Sequence, residues 1–405
     1  MNDRKATTKS MRTENYKTSL ILLLCMAGFY RMSENALQSS YGPFGRSLLG
    51  INAPEIGLAS TLAGIITILA NIVLVIRGGK HHQNRSLALG IVSITIANLL
   101  LVTSHSLATY LASNLFLGLA SGLVMPGLTT LAGRLKGIGQ ERALTAFTVA
   151  LTGSLALGPL IESFTLKVEH NSLRLGVLVF LPFVIIAMVT LGIISNQSHE
   201  SSSADAPQHK TGKPPTSRAL RIAIRAQLIN QMPFVTVIVF GVLIGHSLYQ
   251  STTATSQLAF TVFFGVALVV RATLVWRSKR IDVRLWIVIG TVPMVLGLTI
   301  MSMGRTVAVF FLAMIILGIG HGLMFPLAIS LVAKETLPEN VARANAALFT
   351  ATSAATATAP IFVGVLWKFM GYRPTLLAVA IIVLALGASN LTLVTHRAND
   401  DPAIR

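Results

Sequence analysis

An arginine and a glutamate three residues apart, Arg31 and Glu34, lie within an otherwise apolar run that begins near Ser19. At 100° per residue, Arg31, Glu34, Asn35, Gln38, Tyr41 and Gly42 share roughly one third of a helix circumference, with Phe29, Met32 and Ala36 on the other side. Lipid does not solvate such a stripe. Each ionisable group at depth costs at least about 2.5 to 3.5 kcal/mol, so these residues are expected to face a water-filled cavity or the bundle interior. Two readings follow. The pair is either scaffold, or a working site in which Arg31 holds an anionic substrate group and Glu34 carries a proton. Pairing favours the charged carboxylate and burial the neutral one, so the second reading requires substrate or helix movement to draw Arg31 away during the cycle.

His321, bracketed by Gly320 and Gly322, is the next candidate: a histidine at this depth either relays protons near neutral pH or hydrogen-bonds a neighbouring helix. Asn114 is expected to bridge helices or to touch substrate. Glu162 is expected near an outer helix end, beside Lys167 or Arg174, and Arg271 to reach toward the cytoplasmic surface; both read as structural. No metal-ligand cluster, phosphate-binding Gly-Lys-Ser loop or nucleophile elbow occurs, and the adjacent His81 and His82 lack the spacing of a helical ligand pair. The expectation is a chain that is no enzyme, needs no cofactor, and runs on a proton gradient or on its substrate's own gradient.

The elements that must position these residues are long and apolar. Of 405 residues, 53% are hydrophobic and 11% charged, with mean hydropathy +0.70, more apolar surface than one soluble core hides. About 12 segments suit a spanning helix of roughly 20 residues, centred near residues 30, 65, 95, 120, 154, 185, 237, 264, 294, 319, 356 and 384. Two stretches, 86–133 and 226–270, hold no Asp, Glu, Lys or Arg and must fold back as helical hairpins, with turns at "TSHSLA" and near "HSLYQSTT". Continuous rather than alternating apolarity excludes a barrel. The net charge of +18 is not a nucleic-acid signature. With a cytoplasmic N-terminus, about 25 of the 32 Lys and Arg fall at cytoplasmic positions, where anionic lipid is their partner. Arg46, Lys167, Arg174, Arg305, Lys368 and Arg373 are left for the outer side. The single cysteine, Cys25, rules out an intramolecular disulfide.

A Ser-, Pro- and charge-rich interruption at 196–218 separates six spans from six, which gives a retained tail at 1–16, bundles at 17–196 and 221–396 joined by a linker at 197–220, and a tail at 397–405. The halves repeat. At an offset of 200, "LGLASGLVMPGLTTLAGRL" (117–135) superimposes on "LGIGHGLMFPLAISLVAKE" (317–335), matching Gly118 with Gly318, Gly122 with Gly322 and Pro126 with Pro326; Leu74, Val75 and Arg77 match Leu274, Val275 and Arg277. One residue further along, Arg142 and Pro159 match Arg343 and Pro360. The glycines let helices approach closely, and Pro126, Pro159, Pro326 and Pro360 bend helices as fixed kinks or as flex points. The Thr-rich "LFTATSAATATAP" (348–360) either lines a cavity or packs as small residues.

On these motifs the chain resembles the major facilitator superfamily, in its drug:proton antiporter-like 12-helix members. "NLFLGLASGLVMPG" (114–127) is similar to the family's fourth-helix pattern, with Asn114 in place of the usual arginine, and "RGGKHHQNRSLALG" (77–90) to its basic loop, without the usual acidic residue. "GSLALGPLIES" (153–163) is similar to the fifth-helix signature, keeping Gly158 and Pro159 but carrying Glu162 and Ser163 where glycines are typical. The resemblance implies an all-α polytopic protein of 12 transmembrane helices in two pseudo-symmetric six-helix bundles. It implies a monomer in the cytoplasmic membrane, both termini cytoplasmic, that binds a small molecule, protons and lipid. Proton-coupled efflux of an amphipathic molecule, an anionic one included, is the implied activity; organic-anion uptake by symport, facilitated diffusion, or a non-transporting sensor or assembly role remain open.

Overall fold

The computed structural model describes residues 2–76, 80–134, 140–197, 217–277, 282–336 and 338–400. Most of the linker (198–216) and residues 77–79 of the basic loop lie outside them. Thirteen α-helices follow in order: α1 Asn2–Leu49, α2 Ala53–Ile76, α3 Lys80–Val102, α4 Leu107–Arg134, α5 Gln140–Val168, α6 Leu173–Leu178, α7 Leu181–Gln197, α8 Arg218–Tyr249, α9 Thr253–Arg277, α10 Val283–Met303, α11 Val307–Glu335, α12 Pro338–Met370 and α13 Tyr372–Asp400. Among the described residues, twelve helical spans are long and apolar enough to cross a membrane. An apolar chain in lipid has no water for its amides, and helices satisfy them internally. The two charge-free stretches do turn back, α3 into α4 through 103–106 and α8 into α9 through 250–252.

The sixth span departs from a single helix. It breaks at Val179 and Phe180 into α6 and α7, because Pro182, in the first turn of α7, has no N–H for the Leu178 carbonyl. Carbonyls at the break are met by side chains of other helices. Asn98 Nδ2 donates to Val177 O at 3.2 Å, and Ser33 Oγ to Phe180 O at 3.4 Å. Elsewhere the helix ends carry caps: Ser217 accepts from Leu220 N–H at 3.1 Å, and Asp282 from Arg284 N–H at 3.0 Å.

The chain divides into two compact units, but not at the linker alone. Residues 1–40 and 65–204 form the first; residues 41–64, the turn joining α1 to α2, belong with 205–405 in the second. Small residues explain the allegiance of 41–64. A Cβ on Gly64 would stand 2.6 Å from Ala357 Cα, and one on Gly364 2.6 Å from Ala53 O; Gly42 and Gly57 likewise abut the Val239 and Pro360 carbonyls. The Thr-rich stretch of α12 therefore works here by close packing, and Thr352, Thr356 and Thr358 hydrogen-bond carbonyls of their own helix.

The repeat extends into the packing. Gly122 on α4 is seated against Thr67 O and Ala70 of α2, and Gly322 on α11 against Ala267 O and Val270 of α9, an offset of 200 throughout. Gly90 meets Leu123 and Val124; Gly290 meets Leu323 and Met324. Close glycine seating thus holds equivalent helix pairs in both units. Between α12 and α13, Gly371 adopts φ 76°, a left-handed conformation that a side chain disfavours. We expect Gly371→Ala to cost about 1 kcal/mol and to lower the unfolding midpoint in detergent.

Candidate functional site

In the first unit the site is built on α1. Arg31 Nη1 lies 2.5 Å from Glu34 Oε2, and the other carboxylate oxygen accepts from the Ser121 hydroxyl of α4. The Glu34 side chain is 1% exposed and that of Arg31 19%. One end of the pair is thus sealed in protein while the other stays reachable, an arrangement in which a ligand can compete for the guanidinium but not directly for the carboxylate. Asn35 is fully buried and donates through Nδ2 to Leu155 O of α5 at 3.0 Å. Gln38 is half-buried, Tyr41 and Gly42 are buried. The opposite side of α1 is protein-covered too: Met32 and Ala36 pack against Phe180. The polar stripe is therefore one wall of a helix enclosed on both sides.

Gly158 sits where its Cβ would lie 2.9 Å from Met32 O, which fixes α5 against α1 at the depth of the ion pair. One turn further on, Glu162 is 1% exposed and accepts hydrogen bonds from Ser40 and, at 3.4 Å, from Ser39. Of its expected neighbours, Arg174 has Nη2 3.3 Å from His105 Nδ1. Glu162 is thus a buried carboxylate held by α1 hydroxyls rather than a residue of a charged outer rim. Asn114 is buried, but its amide donates to Tyr110 O in its own helix at 3.0 Å instead of bridging helices. The Arg271 guanidinium lies over the Phe325 ring, 5.9 Å from its centroid.

In the second unit His321 is 6% exposed and placed by three phenylalanines. Phe234 stacks on it at 5.0 Å and 15°, Phe263 lies at 5.1 Å and Phe264 meets it edge-on at 6.2 Å. Its Nδ1 is 2.9 Å from Asn230 Oδ1, so with the proton on Nδ1 the ring donates to the amide and keeps its basic lone pair on Nε2. Replacing His321 by Phe should keep the stacking while stranding that amide oxygen. We expect a loss of about 1 to 3 kcal/mol, largely recovered in Asn230→Leu/His321→Phe, read as a double-mutant cycle on detergent unfolding.

The two constellations are counterparts. Glu34 touches Ser121 in one unit; at an offset of 200, Phe234 stacks on His321 in the other. Arg31 corresponds to Gln231. Gln227, Asn230, Gln231 and Phe234 make an i, i+3, i+4, i+7 stripe on α8 that sequence reading passed over, although the repeat offset applied to the α1 stripe points to it. Gln227 on α8 and Gln257 on α9 are buried, with amide oxygen and nitrogen both lacking hydrogen-bond partners among the described residues. Such amides are polar contacts held ready for a ligand or water.

The Major Facilitator Superfamily profile matches residues 23–254 and 234–403. The uncharacterized MFS-type transporter YttB of Bacillus subtilis (strain 168) is 25% identical over 356 residues, covering 83% of this chain and 87% of YttB. Among solved structures, a peptide transporter POT variant in complex with sulfate has a TM-score of 0.77 at 14% identity, covering 93% of this chain and 94% of that one. A bacterial homologue of the lysosomal transporter Spinster has a TM-score of 0.75 at 11% identity, covering 94% and 97%. The nucleoside transporter NupG has a TM-score of 0.72 at 12% identity, covering 93% and 98%. These structural likenesses establish the shared fold. With its twelve apolar helices, two repeated units and family profile across both, the chain is an integral membrane transporter, not an enzyme, and belongs to the major facilitator superfamily.

Proposed function

We propose that the protein is a proton-coupled antiporter that works by alternating access and exports an amphipathic small molecule, an anionic one included. We place it as a monomer in the cytoplasmic membrane with both termini cytoplasmic, the orientation that puts most Lys and Arg inside. The observation that carries the reading is the buried Glu34 carboxylate shared between Arg31 and Ser121, with only the arginine accessible. Ser121 keeps a hydroxyl on the carboxylate as it changes state. Gly158 and Pro159 on α5, seated against α1, favour export.

A second reading rests on the coupling within the pair: a proton on Glu34 and an anion on Arg31 are mutually reinforcing, because each removes the other's need for the ion pair. If proton and anion load together and travel together, the protein is an organic-anion symporter. Proteoliposomes with an internal pH indicator separate the two when challenged with amphipathic cations, neutral compounds and organic anions. Protons moving opposite to the substrate support antiport, protons moving with it establish symport, and substrate flux with no proton movement removes Glu34 from the mechanism.

A further inference from the structure

At the end of the second unit opposite the linker, a cavity of about 340 Å³ opens between the α1–α2 turn, the end of α8 and the α12–α13 junction. Its lining brings together Arg46, His246 and Lys368, with no carboxylate among its lining residues, and the aromatic pair Trp367 and Tyr372, whose rings meet edge-on at 4.0 Å. Most basic residues of the chain, about 25 of the 32 Lys and Arg, fall instead at positions read as cytoplasmic. Arg373, another cation at this end, donates to Ser302 O and Gly304 O at 2.7 and 3.0 Å. Among the described residues the ion pairs are Arg31–Glu34 and Arg284–Glu335, so Arg46 and Lys368 form none. The nearest acid in sequence, Glu55, accepts from Asn52 N–H at 3.0 Å in a reciprocal cap of α2. His246 Nε2 is 3.4 Å from the Thr253 hydroxyl.

Two exposed cations that no carboxylate neutralises, set across a small cavity with an aromatic wall, select for charge and for a flat ring together. We propose that this cavity is a binding site for a small aromatic carboxylate, its charge held between Arg46 and Lys368 and its ring lying against Trp367 and Tyr372. Neither Glu34 nor Arg31 lines this cavity, so the site binds whether or not those residues move protons.

The chain has three tryptophans, so Trp276→Phe/Trp286→Phe leaves Trp367 as the only one and its fluorescence as the reporter. Benzoate is titrated into the full chain in nanodiscs of zwitterionic lipid, beside benzamide and benzylamine. A saturable response to benzoate is expected, with affinity at least about tenfold above either analogue and falling as salt rises. Arg46→Gln and Lys368→Gln should each weaken it by about threefold to tenfold, Lys368→Arg should retain it, and Arg305→Gln, at an exposed cation outside the cavity lining, should leave it unchanged. Both glutamine substitutions fall on exposed side chains, and an unchanged unfolding midpoint confirms that they fold. Equal responses to benzoate and benzamide would overturn the proposal, as would a response that Arg46→Gln/Lys368→Gln leaves intact. So would a cavity that responds only to nanodiscs containing phosphatidylglycerol, since the anion recognised would then be a lipid headgroup.

Discussion

Glu34→Gln should abolish substrate-dependent proton flux in proteoliposomes, down to the level of protein-free vesicles, while substrate binding survives. Glutamine keeps the shape and can still accept from Ser121, so helix packing between α1 and α4 is preserved. What disappears is the charge that holds Arg31. That guanidinium is partly exposed, and freed of its counter-ion it attracts an anion more strongly. For an anionic substrate, binding to Glu34→Gln should therefore tighten, by about tenfold if one charge-assisted contact is released. Arg31→Gln should do the reverse, weakening anion binding and leaving a carboxylate that is 1% exposed without its cation, at a cost of about 3 to 5 kcal/mol. Opposite signs of the affinity change in the two variants are the diagnostic. Equal proton flux in wild type and Glu34→Gln would reduce the pair to scaffolding and move the search to His321, the counterpart of Ser121.

Gly364→Ala should release the α1–α2 turn from α12. The added Cβ would stand 2.6 Å from Ala53 O, 3.1 Å from Ala53 C and 3.2 Å from Pro54 Cα, all backbone atoms that no rotamer change can move aside. Overpacking of this kind costs about 1 to 3 kcal/mol, against which alanine's helix preference returns at most about 1. Gly265→Ala on α9 is the control, because nothing lies within 4 Å of its Cβ position. It should be neutral or stabilising by up to about 1 kcal/mol. Hydrogen exchange over residues 41–64 reads the difference: faster exchange is expected in Gly364→Ala only. Identical exchange in the two variants would mean that residues 41–64 are not held by this contact.

How much of this was legible in the sequence depends on the range over which each signal acts. The twelve helices and their hairpin turns follow from apolar length and the absence of charge, which are local properties, and lipid leaves the backbone no alternative. The repeat is equally local, since it compares residues with residues. Pro182 is a local signal for the break in the sixth span that the single-span reading passed over, and its consequence depended on Asn98 and Ser33 arriving to satisfy the broken backbone. Helical phase placed Arg31, Glu34 and Asn35 on one face. It could not show that the Met32 face is covered as well, because that depends on Phe180, about 150 residues away.

The remaining decisions belong to the tertiary structure for the same reason. Asn114 had an amide able to bridge helices, yet Tyr110 O in its own helix was the nearer acceptor. Glu162 looked suited to a basic neighbour, whereas packing at Gly158 delivers it to Ser39 and Ser40. Residues 41–64 follow the linker rule in sequence and the glycine contacts in space. Length, apolarity and repetition are written along the chain and determine that twelve helices form and belong to this family. Which polar group meets which is settled only when helices distant in sequence come within 3 Å of one another, and there the small residues decide.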